Sequence, residues 1–225
     1  MKYWNVIKID YEQTKDWILK KHYAKRMPPI NYAFGFFIDS KLQGIVTYGI
    51  PSSSPLRCGI CGEKYKDFVL ELNRLVINEQ APENTASLLI SQSIKMLPRN
   101  SIIISYADTS MGHVGYPYQA TNFIYTGLSE KRTDWKVKGM ENLHGQTIAD
   151  ISRGKKDRSK FMREKYGDDF YIEERSRKHR YVYFKNKKMK KYLKYPILDY
   201  PKGDTNRYDC EDINKSQMTL CGIFN

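Results

Sequence analysis

Residues 101–127, SIIISYADTSMGHVGYPYQATNFIYTG, carry the reading on which the fold turns. Ile102-Ile103-Ile104 is an apolar run long enough for a buried strand and too short for a helix. Polar groups follow at once in Tyr106, Asp108, Thr109 and Ser110, then the glycine-spaced loop Gly112-His113-Val114-Gly115-Tyr116-Pro117-Tyr118. The apolar-periodic segment Ala120 to Tyr125 reads as a helix that stops at Gly127. Ligands of open α/β sheets bind at the carboxyl ends of buried strands. An Asp, a His and three Tyr crowd that point here, more than a plain glycine-rich connection needs.

Upstream, Phe68 to Ile77 (FVLELNRLVI) reads as a strand. Its Glu71 and Arg74 are too charged for a plain buried position; they fit a structural ion pair, or Arg74 binds an anion. Asn84-Thr85 caps a helix over Ala86 to Ile94, and a helix N-terminus directly after a central strand suits an anion. Nearer the N-terminus, Val6 to Ile9, Asn31 to Asp39 and Gly44 to Ile50 read as strands, with a hairpin connection at Ser40 to Gln43. A helix over Tyr11 to Tyr23 ends in His22-Tyr23 before Pro28-Pro29. Pro51 to Gly62 reads as a loop. Downstream come a strand and turn at Trp135 to Val137 and Gln146 to Ile151, and a basic helix over Asp150 to Tyr166. Phe170 to Glu174 with His179 to Phe184 read as a hairpin, and a Tyr-bearing basic tail turns to loop from Tyr200. The order predicts an α/β (α+β) fold: a mixed, mostly antiparallel central sheet flanked by helices. Residues 1–150 are expected to form the core. Residues 151–225 are expected to form a basic, aromatic-rich extension that continues the sheet and binds nucleic acid.

The net charge is +13, and residues 151–195 hold 17 Lys and Arg against 6 Asp and Glu, so that segment carries nearly all of it. A near-neutral body with a basic appendix suits a polyanion, nucleic acid first. Tyr166, Phe170, Tyr171, Tyr181, Tyr183, Phe184, Tyr192 and Tyr195 interleave with the cations, as base stacking with phosphate contact would require. The candidate DNA contacts are Arg153, Lys155, Lys156, Arg158, Arg177, Lys178, Arg180, Lys187 and Lys188. No apolar run reaches membrane-spanning length and the N-terminus lacks a signal-peptide core, so a cytoplasmic protein without a membrane partner is expected. Four Cys argue against a disulfide framework; Cys58-Gly-Ile-Cys61 has the spacing of half a zinc site, whose other half would be Cys210 and Cys221, though a tight glycine loop fits better.

The element order resembles the acyl-CoA-dependent N-acetyltransferase (GNAT) fold, and Gln119 to Leu128 looks like a form of its late helix. That fold's Gly-rich pyrophosphate loop is missing between Val76 and Ser87. A closer resemblance lies in Glu71-Leu72-Asn73-Arg74-Leu75, Asn84-Thr85-Ala86-Ser87, Ser105-Tyr106-Ala107-Asp108, Gly112-His113-Val114-Gly115-Tyr116 and Tyr118-Gln119-Ala120-Thr121-Asn122. In this order the blocks are similar to the phage Mom family, GNAT-like proteins that convert adenine in phage DNA to a carbamoylmethyl (acetamido) derivative of the exocyclic amine and so block host restriction. The resemblance covers roughly His22 to Gly127.

It implies a transferase acting on double- or single-stranded DNA with a small-molecule donor, phage-encoded, in the cytoplasm of a bacterial host, with a homodimer open. It implies functional roles for His22, Tyr23, Arg74, Asp108 and Tyr118, with Asn84, Thr85, Ser87 and Tyr125 toward a cofactor. Acetyl-CoA or another acyl donor is the implied cofactor; iron held by His22, Tyr23, Asp108 and Tyr118 is the implied metal. Adenine's exocyclic amine is a poor nucleophile, so a group must orient or deprotonate it. Asp108 is read in that role, and Tyr118 or Tyr125 as a proton donor to a leaving group or a stacking surface. The alternative is a GNAT-type N-acyltransferase acting on a protein, amino sugar or tRNA amine.

Overall fold

The computed structural model describes residues 3–143 and 145–203 of the 225. Four strands, β1 (Trp4–Lys8), β2 (Tyr32–Ile38), β3 (Lys41–Gly49) and β4 (Val69–Ile77), form an antiparallel meander. Helices α1 (Tyr11–Asp16) and α2 (Ser54–Cys61) interrupt it. The chain then crosses over through α3 (Thr85–Met96) to β5 (Ile102–Asp108), which pairs with β4 in parallel. After the short helix α4 (Tyr116–Gln119) comes β6 (Ile124–Leu128). A late strand, β9 (Lys178–Phe184), lies between β5 and β6, giving the order β1-β2-β3-β4-β5-β9-β6. The sheet is therefore mixed and mostly antiparallel, with helices on its faces.

The isoleucine run explains why β5 is central. Side chains alternate across a strand. Ile103 joins the core that holds Leu89, Ile90 and Ile94 of α3, while Ile102 and Ile104 join the core that holds Ile60 and Cys61 of α2. All three isoleucines are fully buried, so β5 is sealed on both faces. Each contributes about 1.5–3 kcal/mol of hydrophobic stabilisation.

The chain divides into two units, Met1–Gly127 with His179–Asn225, and Leu128–Lys178. The second has its own sheet, β7 (Arg132–Val137) antiparallel to β8 (Phe170–Arg175), and its own core of Val137, Ile148, Met162 and Phe170. Helices α5 (Gly145–Asp150) and α6 (Arg158–Tyr166) supply Ile148 and Met162. A division after residue 150 therefore falls inside this unit, at the end of α5.

Several local expectations are corrected. Pro51 to Gly62 is not a loop: Ser53 caps α2, its Oγ accepting from the Leu56 N–H, and Pro55 sits in the first turn, where a missing N–H costs nothing. Cys58 and Cys61 lie on that helix, while Cys210 and Cys221 lie outside the described residues. Ala120 to Tyr125 is not a helix: Pro117 starts α4 earlier, Asn122 turns the chain with φ of 60°, and Ile124-Tyr125-Thr126 enters β6. Gln146 to Asp150 is helical, with Ile151 in the turn that follows, and the basic helix begins only at Arg158, after the Asp157 cap. Phe170 to Glu174 and His179 to Phe184 are not a hairpin, since β8 pairs with β7 and β9 joins the large sheet.

Candidate functional site

The site begins where β4 and β5 stop pairing. Their parallel register covers only Val69–Leu72 against Ile102–Ser105, although β4 runs on to Ile77 and β5 to Asp108. On the other side of β4 the register slips: Thr47 faces Arg74 and Tyr48 faces Leu72, leaving Asn73 opposite no residue. A bulge bends its strand and re-aims the side chains beside it. The Ser105 hydroxyl donates to the Leu72 carbonyl across the last paired rung (3.0 Å).

Asn73 and Arg74 use the bulge to tie down the segment that follows α1. The Asn73 amide donates to the Pro29 carbonyl (2.8 Å) and accepts from the Thr47 hydroxyl (2.6 Å). Gly49 allows the same approach, because a Cβ there would lie 1.9 Å from the Pro29 oxygen. The Arg74 guanidinium donates to the carbonyls of Asn73 (2.6 Å) and Arg26 (2.7 Å). Its Nε is buried without a hydrogen-bond partner among the described residues, and burial lowers its pKa. The structure places Arg74 as a clamp on this loop, with Tyr23 and the Glu71 carboxylate opposing the effect of burial on its charge.

The clamped loop carries His22 and Tyr23. A π-helical turn, Trp17–Lys21, follows α1 and ends at His22; such turns recur at functional sites. His22 is buried, its Nδ1 accepts from the Ala24 N–H (3.0 Å), and its ring stacks on Tyr23 with centroids 4.3 Å apart. Tyr23 meets His113 edge-on at 6.4 Å. Burial raises the Tyr23 pKa, the Asp108 carboxylate raises it further, and the Arg74 cation opposes them.

Asp108 ends β5 and is buried. Its Oδ1 accepts from the backbone N–H (3.1 Å) and hydroxyl (2.8 Å) of Ser110, so it also caps the 3-10 turn Thr109–Met111. His113 follows, its backbone N–H donating to the Asp108 carbonyl (3.2 Å). Burial lowers the His113 pKa against the opposing pull of Asp108, which favours neutral imidazole. Tyr118, on α4, is buried; its phenol and the Ser105 hydroxyl hydrogen-bond each other, and burial pushes its pKa up to about 12. Gly115 is required beside it: φ is +83°, and a Cβ would stand 2.5 Å from the Tyr181 ring. The Tyr181 hydroxyl donates to the Val114 carbonyl and holds the loop in place.

His22, Tyr23, Arg74, Asp108 and Tyr118 thus converge, from four separate stretches of sequence, around the parting of two strands. His113 and Ser105 join them; the glycines flanking His113 were the signal in the sequence. The four cofactor candidates do not stay together. Asn84 and Ser87 line a groove of about 580 Å³ with Ser91, Lys95, Thr121 and Tyr183. Thr85 is buried, its hydroxyl donating to the Pro82 carbonyl (2.7 Å). Tyr125 is a core residue whose hydroxyl bonds His179 Nδ1 (2.9 Å) and whose ring packs on Tyr181 at 5.2 Å.

The basic candidates also separate. Arg158 donates to Ser152 Oγ (3.0 Å) and the Ala149 carbonyl, and Arg177 donates to the Ser129 carbonyl (2.7 Å). Arg180 holds Thr126 through its hydroxyl (2.9 Å) and carbonyl (3.0 Å) and lies 3.5 Å from the Tyr195 ring centroid. These three maintain the fold. Arg153 pairs with Asp150 (2.8 Å), and Lys155 lies over Phe161. Lys178 opens β9 half-buried; Lys156, Lys187 and Lys188 are exposed.

The residues named for iron do not fit a metal centre as they stand. Among the described residues no three His, Cys, Asp or Glu side chains converge as ligands. The Tyr118 hydroxyl is turned to Ser105, and Asp108 Oδ1 already accepts twice. Among the same residues no helix is long and apolar enough to cross a membrane.

A buried carboxylate, imidazole and phenol held in the opening of a mixed α/β sheet are the equipment of a group-transfer enzyme. The chain belongs to the Mom protein family, whose model matches residues 3–202, and it is a transferase. The methylcarbamoylase mom of Escherichia phage Mu is 28% identical over 193 residues, covering 82% of this chain and 78% of that protein. Among solved structures, a GNAT-family acetyltransferase from Bacillus cereus is similar with a TM-score of 0.42 and 14% identity, over 81% of this chain and 97% of that one. An N-acetyltransferase from Staphylococcus aureus is similar with a TM-score of 0.43 and 13% identity, over 81% and 99%.

Proposed function

We propose that this protein modifies DNA by placing a carbamoylmethyl group on the exocyclic amine of adenine, which shields phage DNA from host restriction. The observation that carries the reading is the convergence of Asp108, Tyr23, His22, His113 and Tyr118 at the parting of β4 and β5, in a chain of the Mom family.

The target base leaves the helical stack, or is met in single-stranded DNA, because the amine is out of reach inside a duplex. The half-buried ring of Tyr23, backed by His22, offers a stacking surface. Asp108 accepts a hydrogen bond from the amine, which localises the lone pair that the ring otherwise withdraws. As the new N–C bond forms, one amine proton passes to the Asp108 carboxylate. The bond between the donor's methylene and its leaving group breaks as the N–C bond forms, and Tyr118, protonated because burial pushes its pKa up to about 12, donates its proton to that leaving group. Arg74 acts by fixing the loop that carries His22 and Tyr23.

An acyl donor such as acetyl-CoA fits the α3 groove in part. Asn84 and Ser87 stand at the helix N-terminus, which favours anionic groups, and the volume is that of a small-molecule site. Acyl transfer from acetyl-CoA itself would leave an N-acetyl group bonded through the carbonyl carbon; a carbamoylmethyl group is bonded through its methylene, so the donor that balances the step carries an intact CH2-CO-NH2 group with a leaving group on that methylene.

The test is mass spectrometry of nucleosides from plasmid DNA after expression in a bacterial host. The reading predicts a deoxyadenosine species about 57 mass units heavier, a carbamoylmethyl group in place of one amine hydrogen. It also predicts plasmid resistance to restriction enzymes whose sites contain adenine. Unmodified DNA recovered with soluble, DNA-binding protein would refute it.

A further inference from the structure

The ends of β4 and β5 away from the opening carry a surface that the chemistry does not use. The 3-10 turn Glu63–Phe68 leads into β4, and the 3-10 turn Lys187–Tyr192 follows β9. The Lys185 N–H donates to the Ser101 carbonyl (3.1 Å), which sets the second turn beside the start of β5. The turns meet through Tyr65 and Tyr192, stacked with centroids 4.5 Å apart. Lys64 lies 5.7 Å from the Tyr65 centroid and Lys191 5.1 Å from that of Tyr192.

Five lysines lie on this second turn and just past it. Lys187, Lys188, Lys190, Lys191 and Lys194 are all exposed, while Met189 is buried against the α2 core and anchors the turn. None of the five has a carboxylate partner among the described residues. The carboxylates of the neighbouring turn are already paired, Glu63 with Lys66 and Asp67 with Arg57. A cation row with no ion pair among the described residues, beside the exposed Tyr192 ring that stacks on half-buried Tyr65, matches a phosphate backbone with bases or sugars beside it. The seven residues of β5 put this surface roughly 20 Å from Asp108 along the strand. That corresponds to about six base-pair steps of duplex.

We propose that the Lys187–Lys194 row and the Tyr65–Tyr192 stack form a second DNA contact, which grips backbone phosphates away from the modified base. The inference rests on the reading of DNA as substrate. Contacts to phosphate carry position without sequence, so this surface raises affinity for any flanking sequence and leaves the chemical step to the opening.

The test uses full-length protein carrying Asp108→Ala, so that binding is read without turnover. Anisotropy of a fluorescein-labelled duplex is followed across a salt series. Changing Lys187, Lys188, Lys190 and Lys191 together to Ser is expected to weaken binding about tenfold or more near 0.1 M salt. It should also make the log–log salt slope shallower by roughly three to four units. Tyr192→Ser, with every lysine kept, is expected to weaken binding severalfold at an unchanged slope. Unchanged melting temperatures in both variants would show that the fold is intact. The proposal is overturned if the four-lysine variant keeps the parent's affinity and slope. It is also overturned if polyglutamate competes as well as duplex at equal charge, which would mark an acidic protein as the partner. Failure here with nucleoside modification intact leaves the function standing. Retained salt-dependent binding without any modified nucleoside leaves this surface standing and removes the function.

Discussion

One pair of strands behaves in opposite ways at its two ends. Over Val69–Leu72 and Ile102–Ser105, β4 and β5 are paired rung for rung and sealed by aliphatic side chains on both faces. Beyond Leu72 and Ser105 the same strands part, and the groups that gather are a buried carboxylate, imidazole and phenol (Asp108, His22, Tyr118) with a half-buried phenol and imidazole (Tyr23, His113). The closed end supplies stability, and the open end is where we place the proposed chemistry. A bulge at Asn73, one residue past the last rung, marks the change.

Separate lesions should pull the two ends apart. The largest stability effect is expected at the closed end. Ile103→Ala should lose about 3–4 kcal/mol through lost burial and the cavity left behind, read by denaturant unfolding. Modification per folded molecule should stay at the wild-type level. At the open end, Tyr118→Phe should cut modification by about 30-fold, because a proton donor is removed. Its stability should change by only about 1 kcal/mol, one hydrogen bond. Arg74→Lys tests the link between the ends. A lysine keeps the charge but not the fork that spans two carbonyls, so the His22–Tyr23 loop should loosen. Modification should fall about tenfold with a stability loss of about 1 kcal/mol, and hydrogen exchange should quicken over residues 22–30.

The smallest effect is a pH dependence. Burial holds the His113 pKa below its usual 6.5, so the folded state favours the neutral ring. Below pH 6.5 the unfolded chain binds the proton more readily, so stability falls as pH drops through that value and levels off below the folded pKa. The melting temperature should decline gently from pH 7 to pH 5, and His113→Asn should flatten the decline.

The sequence disclosed the strands better than their partners. The isoleucine run, the alternation of β4 and the strands of the meander could be read because burial imposes period and length on local sequence. The pairing of β9 between β5 and β6 could not, because no local signal distinguishes a strand that returns to a distant sheet from one that turns into a hairpin. α2 was hidden by Ser53 and Pro55, residues that suit loops and helix starts alike. At the site, Asp108 and Tyr118 stood out through the loop that bears them. The positioning roles of Asn73, Arg74 and Ser105 depend on a bulge and on contacts between segments up to 48 residues apart, such as Arg74 with Arg26. The basic segment misled in a specific way: Arg158, Arg177 and Arg180 hold backbone carbonyls inside the fold. Charge alone does not separate such arginines from lysines that face solvent.

The central claim is that the open end of β4 and β5 carries the chemistry and that Asp108 handles the amine proton. The most direct measurement compares nucleosides from plasmid DNA of hosts expressing wild type or Asp108→Ala, with both proteins confirmed folded and DNA-binding. The account predicts a heavier deoxyadenosine from the wild type and a loss of about a thousandfold in the variant, the size of general-base catalysis. Equal amounts of modified nucleoside from the two proteins would contradict it.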